Sequence, residues 1–421
     1  MDQSFELKGY WYLPGEGKER RIPGILKFEP THGIKLELIG GFPPNMIKLK
    51  LIWGYVSGDK AITLYNSFEV SRNNIFMEVE TAVYAVNMVF MGGWFTDEND
   101  LSFNKVAARF SYMDNWFNFS QGFKIKYGKG KFKTSVEYEL PEAVILPITR
   151  TMQLSIKPAA AGPSLHRVQK EVTISQKLFF VLESKRKVRL REMLKLLTHF
   201  QNFLSVVTQQ PVYPRELSMY FKTKDSKKLY EAKVFYQLKH FPYPINENLD
   251  PRDCFIDYEL IKDIFPSLVK KWYLKGNLFH TSLVPYVVTF NNHDSYASDR
   301  FIELAKSIEA FHRETTQTKV EFKKRVVSVF KKYKKAYSSV LKIRSINELA
   351  EKIKNFRNDF THSNPISSME NKKYLETHFL SEKIAIVMAC AFLNEIGVPL
   401  PTSKNSIELS TLSTLLKFET H

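Results

Sequence analysis

The chain of 421 residues has only two cysteines, Cys254 and Cys390. Two thiols make neither a disulfide framework nor a metal site of their own, and their scarcity suits a reducing cytoplasm. Long apolar runs are missing as well. The longest, "TAVYAVNMVFMGGWF" and "IAIVMACAFL", fall short of the roughly 18–20 apolar residues that a membrane-crossing helix needs, so no membrane partner is expected. There is no HExxH, no CxxC and no GxxxxGK followed by Ser or Thr, and the lysines of "YGKGKFK" stand in the wrong frame for a phosphate loop. Neither a metal nor a cofactor is therefore expected. The opening "MDQSFELKGYWY" is acidic and then alternating, unlike a signal peptide. Internal repeats and low-complexity tracts are absent too.

What the chain has in excess is positive charge. The formal net charge is +17, unevenly placed. Residues 1–150 hold 18 Lys and Arg against 17 Asp and Glu, whereas residues 301–421 hold 20 against 13. Within 319–344 ten basic residues face one acid, Glu321. A basic surface beside a neutral region fits a polyanionic partner, and it also fits a merely solvated helix face.

Hydrophobic periodicity divides the chain. Residues 1–150 read as β: "SFELKGYWYL" alternates at Phe5, Leu7, Gly9 and Trp11, and "GIKLELIG" at Ile34, Leu36 and Leu38, with turns at "PGEG", "PTHG" and "GGFPPN". An antiparallel sandwich or barrel-like sheet is expected. Residues 151–285 are mixed. "LREMLKLLTHFQNFLSVVT" has helical spacing at Met193, Leu196, Leu197, Phe200, Phe203 and Leu204, and "DYELIKDIFPSLVKKWYLKG" reads as a helix broken at Pro266. Residues 286–405 are helical, and 406–421 form a tail. The first long helix there has Ser298 or Asp299 as its expected N-cap. Another, "KVEFKKRVVSVFKKYKKAY", buries Phe322, Val326, Val329, Phe330 and Tyr333 and leaves its lysines outside. The last stops at Gly397. The fold class is α+β, with a β-rich N-terminal domain, a mixed middle region and a C-terminal bundle of four to five helices.

One pair of residues invites chemistry. "NFRNDFTH" carries Arg357 and His362 where the apolar row Leu349, Ile353, Phe356, Phe360 runs out. With 16 Arg and 10 His, about one such pair arises by chance, so the spacing alone decides nothing. On a continuous helix the two side chains diverge by about 140°. They converge if the helix ends between them or if a second subunit supplies half the site. An imidazole titrating near neutrality can move the proton of an RNA 2′-hydroxyl, and a planar guanidinium can hold the charge of the phosphorane. The same two residues also favour a helix C-terminus electrostatically. Glu309 and His312, on the first bundle helix, are candidates for a supporting role or for a plain helix-surface contact.

Beyond these local readings, "LKGYWYLPGEGKERRIPGILKFEPTHGIKLELIGGF" resembles the ApeA N-terminal domain. "SIEAFHRE" followed by "IKNFRNDFTH" resembles the ApeA-like HEPN domain (higher eukaryotes and prokaryotes nucleotide-binding). The resemblance implies a bacterial anti-phage protein acting by abortive infection, with a metal-independent endoribonuclease in its helical part. It implies an Arg-x4-6-His motif at Arg357 and His362, with Asn358 in the polar position after the arginine, and a homodimer whose two motifs line one cleft. Host RNA, such as tRNA, would be the substrate and a phage component the trigger. Lys323, Lys324, Lys331, Lys332, Lys334 and Lys335 would then track the RNA backbone. The rival reading is a non-catalytic HEPN protein that binds RNA or a partner while the β domain senses the phage.

Overall fold

A computed structural model describes every residue except 59, 74–78, 120–121, 129–132, 167, 169, 224–227, 239–248, 276–278, 292–295, 362–370 and 410–421. The chain falls into two compact units. One holds Met1–Ser111, Glu139–Leu197 and Tyr213–Phe241; the other holds Tyr112–Tyr138, Thr198–Val212 and Pro242–His421. The units interleave along the chain, whereas composition changes near 150, 285 and 405. An element can group with partners far away in sequence once its apolar face has been buried.

In the first unit, six antiparallel strands close on themselves: β1 Phe5–Tyr12, β2 Ile22–Glu29, β3 Gly33–Ile39, β4 Lys48–Val56, β5 Lys60–Asn73 and β6 Thr81–Met91. Their order is β6-β3-β2-β1-β4-β5, and β5 pairs back onto β6. Closure removes the exposed edges that an open sheet would leave. Of the two architectures the alternation allowed, the barrel is the one that forms. Its interior is the alternate face of each strand, with Trp11, Leu26, Phe28, Ile34, Leu36, Leu38, Ile52, Ile62, Leu64 and Tyr84 in one cluster. Trp11 is wholly buried and needs room that only glycine leaves. It lies opposite Gly54 in the β1–β4 ladder.

The second half of β6 also pairs with β14 Tyr230–Tyr236. From there a sheet runs through β13 Pro214–Phe221, β7 Ser102–Phe110, β12 Glu171–Arg189 and β11 Met152–His166 to β10 Val144–Pro147. The helix expected after β12 is present as α2 Leu190–Thr208, and it contributes residues to both units.

The second unit holds α1 Met113–Phe117, the hairpin of β8 Phe123–Tyr127 and β9 Thr134–Tyr138, and the helices α3 Phe265–Lys275, α4 His280–Asn291, α5 Ala297–Thr316, α6 Phe322–Tyr337, α7 Ile346–Thr361, α8 Asn371–Ile396 and α9 Leu400–Leu409. The run "IAIVMACAFL" lies in α8 and is buried on every side, from Ile384 to Leu393. A helix apolar all round belongs at the centre of a bundle, and α3, α5, α6 and α9 pack against it. Among the described residues no helix is long and apolar enough to cross a membrane. Gly397 ends α8 at φ +114°, and the Val398 amide returns to the Leu393 carbonyl at 2.9 Å.

Two expectations change. Pro266 does not break a helix; it stands in the first turn of α3, where its missing N–H costs nothing. The N-cap of α5 is Tyr296, which makes no side-chain cap bond. Ser298 and Asp299 lie inside the first turn, because the Asp299 and Arg300 amides both reach the Tyr296 carbonyl. Asp299 there still favours the positive helix start.

The barrel makes a direct prediction. A β-carbon at Gly54 would stand 2.2 Å from Cζ3 of the Trp11 indole, which has nowhere to move. Gly54→Ala should therefore destabilise the first unit by about 1–3 kcal/mol, as overpacking does. Thermal unfolding of the two chains, compared by circular dichroism, measures it. An unchanged midpoint would contradict the packing.

Candidate active site

Three helices converge around one carboxylate. Glu309 is on α5, one turn before Arg313, and its side chain is 16% exposed. Phe301, Leu304, Ala305, Ile308 and Phe311 turn the other face of α5 into the core, as their spacing predicts. That leaves Glu309 on the flank facing α6 and α7. Its Oε2 accepts from Nη2 of Arg357 at 2.9 Å, and its Oε1 accepts from Nη2 of Arg313 at 2.6 Å. Nε of Arg325, on α6, is 4.0 Å from the same Oε1 and donates to the Val320 carbonyl at 2.8 Å. One negative charge is thus shared by three guanidinium groups, and the cluster carries net positive charge.

Arg357 is held on two sides. Besides the Glu309 bond, its guanidinium carbon lies 4.4 Å from the ring centroid of Phe322 at the start of α6. That stacking and the ion pair together leave few rotamers open to a long side chain. The side chain keeps 31% of its surface exposed. Its Nε and Nη1 have no hydrogen-bond partner among the described residues. Phe356, the neighbour of Arg357, packs on Phe301 of α5, as does Phe360 one turn on. These rings fix the rotation of α7 and so the direction of Arg357.

α7 is helical through Thr361, so the helix does not end between Arg357 and the residue before His362. His362 itself lies outside the described residues. Asn358 stands beside Arg357 on the partly exposed side of α7. Its carbonyl, like that of Arg357, accepts from the Thr361 hydroxyl. His312 sits one turn beyond Glu309, buried at 4% exposure, with Nδ1 3.2 Å from the Thr316 hydroxyl. Burial pushes its pKa down, and the nearby Arg325 adds to the effect.

The six lysines of α6 separate into two groups. Lys323 pairs with Glu351 at 2.7 Å, and Lys332 pairs with Glu395 at 2.5 Å. Lys324, Lys331, Lys334 and Lys335 are exposed, with no ion pair among the described residues. Positions 324, 331 and 335 fall within about 40° of one another around the helix and form one stripe.

Sequence reading left out Arg313, Arg325 and Phe322 as parts of this cluster. Each had a signal. Glu309 and Arg313 are four apart on one helix, and Arg325 falls on the buried side of α6 between Phe322 and Val329. A buried cation in an otherwise apolar row asks for a carboxylate. Among the described residues the buried Nη1 of Arg325 has no hydrogen-bond partner. Among the described residues, no three His, Cys, Asp or Glu side chains are grouped as a metal site.

A unit built on a β-barrel, interleaved along the chain with a helical unit that carries an arginine–carboxylate cluster, makes an α+β protein with a C-terminal helical bundle. The ApeA N-terminal domain 1 family matches residues 6–272, and the Apea-like HEPN family matches residues 302–401. The chain belongs to the ApeA family, a HEPN nuclease-type group of defence proteins. No curated protein and no solved structure matches it.

Two imidazoles, His312 buried and His199 half-buried, predict a pH dependence. His312 and His199 both bind protons more weakly in the folded chain than the ordinary value of 6.5. Their neutral forms therefore favour folding above that value, and stability is lost as pH falls through it. Urea unfolding at pH 7.5 and 5.5 should show the loss, and His312→Gln should reduce it. Equal stability at both pH values would contradict it.

Proposed function

We propose that the chain is a metal-independent endoribonuclease of the HEPN type that acts in anti-phage defence. The observation that carries this reading is Arg357: held by Glu309 and Phe322, partly exposed, with two donor nitrogens still open among the described residues. A guanidinium so fixed can receive two oxygens of a phosphorane without reorganising. In the proposed reaction, the imidazole of His362 takes the proton of the RNA 2′-hydroxyl, and the 2′-oxygen attacks the adjacent phosphorus. The P–O5′ bond breaks, and the 5′-oxygen leaves with a proton delivered by an imidazolium. The products are a 2′,3′-cyclic phosphate and a 5′-hydroxyl. Arg357 neutralises the charge that builds on the non-bridging oxygens. Glu309 is a positioning residue acting through Arg357, and Asn358 orients the phosphate or the imidazole. With α7 helical through Thr361, a homodimer offers the simplest convergence of Arg357 and His362, each from a different copy. Such an enzyme would cut host RNA, tRNA included, in the cytoplasm and cause abortive infection.

His362→Ala and Arg357→Ala should each abolish cleavage of total host RNA on a denaturing gel while the chain stays folded. Arg357→Lys should restore little, because a lysine cannot hold two oxygens in a plane. EDTA should leave the wild-type reaction unchanged. Cleavage that survives in both alanine variants, or that needs Mg²⁺, would refute the mechanism.

The stripe of Lys324, Lys331 and Lys335 is proposed to follow the RNA backbone. Reversing these three charges together with Lys334 should weaken RNA binding and flatten its dependence on salt, by about 0.7 in log–log slope for each phosphate no longer neutralised. Binding measured between 50 and 200 mM salt decides this, and an unchanged slope returns the stripe to a solvated face.

A free ribonuclease would damage its own cell, so we infer that residues 1–285 restrain the bundle until a phage component is sensed. A fragment starting near Asn291 is a poor test of this. It would remove Phe279, which stacks on Phe311, and Tyr286, which packs on Phe392 and bonds to the Ala385 carbonyl. Control is better read in cells carrying the intact chain, with RNA cleavage compared before and after infection.

A further inference from the structure

The outer face of the barrel carries rings that an ordinary barrel exterior would replace with polar side chains. Tyr10 on β1 stands opposite Pro23 on β2 and opposite Tyr55 on β4. Tyr10 is 42% exposed, Tyr55 41% and Ile39, at the end of β3, 58%. Together with Lys8 and Arg21 they line an open groove of about 640 Å³. From Pro23 to Tyr55 the row crosses three neighbouring strands, roughly 10 Å.

Behind the row the rings are locked. Trp94 stacks on Trp53 at 6.1 Å, and its Nε1 donates to the Gly54 carbonyl at 3.0 Å. Trp53 donates to the Phe95 carbonyl at 2.7 Å and meets Tyr12 edge-on at 5.9 Å. Tyr55 leans on Trp94 at 6.5 Å. The exposed rings therefore lose little freedom when something stacks on them. On the other side, the Arg21 guanidinium covers Tyr10 at 4.4 Å.

The lining selects among ligands. Among the described residues its only charged side chains are Lys8 and Arg21, both cationic, and they include no carboxylate and no side-chain amide. Glu37, on the same outer face, is already bonded to Lys27 at 2.7 Å. A sugar would need amide or carboxylate partners for its hydroxyls, and the described lining offers neither. Flat rings beside cations suit a ligand that is itself flat and anionic. From Gly9 to Trp11, β1 is paired on both sides, to β2 and to β4, so no open edge lies beneath the two rings for an added peptide strand. Bases in a duplex are stacked on each other, so only an unpaired strand presents faces to such rings.

We propose that the outer groove of the barrel binds single-stranded nucleic acid, with bases stacked on Tyr10 and Tyr55 and phosphates held by Lys8 and Arg21. This is independent of the cleavage reading. A DNA hexamer of thymidine has no 2′-hydroxyl, so its binding is measured whether or not the chain cuts RNA.

Fluorescence anisotropy of the intact chain with fluorescein-labelled dT6 tests the proposal. Replacing both rings, Tyr10→Ala with Tyr55→Ala, should weaken binding about tenfold or more, the effect of losing base–aromatic stacking. Tyr10→Phe with Tyr55→Phe should preserve it. An abasic hexamer of the same length should bind as weakly as dT6 binds to the alanine pair. Arg21→Glu, at an exposed position, should also weaken dT6 and keeps the test decisive if the alanine pair fails to fold. Equal affinity of wild type and the alanine pair, or of dT6 and the abasic strand, overturns the proposal. So does a proline-rich peptide that binds the groove while dT6 does not.

Discussion

The helical unit depends on the burial of α8. Ten consecutive residues of that helix, Ile384 to Leu393, are shut away from water. Such a helix is stable in water only if other helices cover it all round. α5 and α6 are two of those covers, and each turns its own apolar row inward to meet α8. Phe311 of α5 and Phe392 of α8 meet edge-to-face at 5.5 Å, and Phe311 also touches Tyr333 of α6. Once these faces are committed, Glu309 is left on the flank of α5 towards Phe322 and Arg325, which lie on the buried side of α6 near its start. α7 closes over them through Phe356 and Phe360, and Arg357 arrives where the carboxylate is waiting. The geometry of the polar cluster follows from apolar packing.

That cluster is electrostatically unbalanced. Charges removed from water cost more than their mutual attraction returns unless each is well bonded. Glu309 meets this condition, with a guanidinium on each oxygen. Arg325 does not, since among the described residues its buried Nη1 has no hydrogen-bond partner and the carboxylate it approaches, Glu309, is already shared. Polar networks that are incompletely satisfied are costly, and they are retained where something besides stability is served. A surplus of positive charge beside a partly exposed arginine would be stabilised by an anion, which fits a site that works on phosphodiesters. In the barrel the division is cleaner. The inward face is filled by Trp11 against glycines, and the ionisable groups lie outside or in the compact network of Arg72, Glu69, Glu80 and Tyr84.

Much of this was legible along the chain because periodicity reports burial directly. Alternation at Ile34, Leu36 and Leu38, and helical spacing in α2, α5, α6 and α7, each named the buried face. Glycine at 397 marked the end of α8, because a left-handed residue costs least there. The misreadings came where two local rules competed. Pro266 can break a helix or begin one, and Ser298 can cap a helix or lie within it. Which happens depends on where the preceding backbone can find its hydrogen bonds.

The sequence by itself determined the order of β and α regions, the apolar faces, the basic helix and the family resemblance, since all of these are carried by residues near one another in the chain. Only the tertiary structure decided that six strands close into a barrel rather than a sandwich, because closure depends on β5 returning to β6. It alone decided that α8 is the hub, and that Glu309 meets Arg357 across 48 residues of chain. It also sorted the lysines of α6 into those bound within the bundle and those left to solvent. Pairings between distant residues are set by how apolar surfaces fit together, and no local pattern encodes that fit.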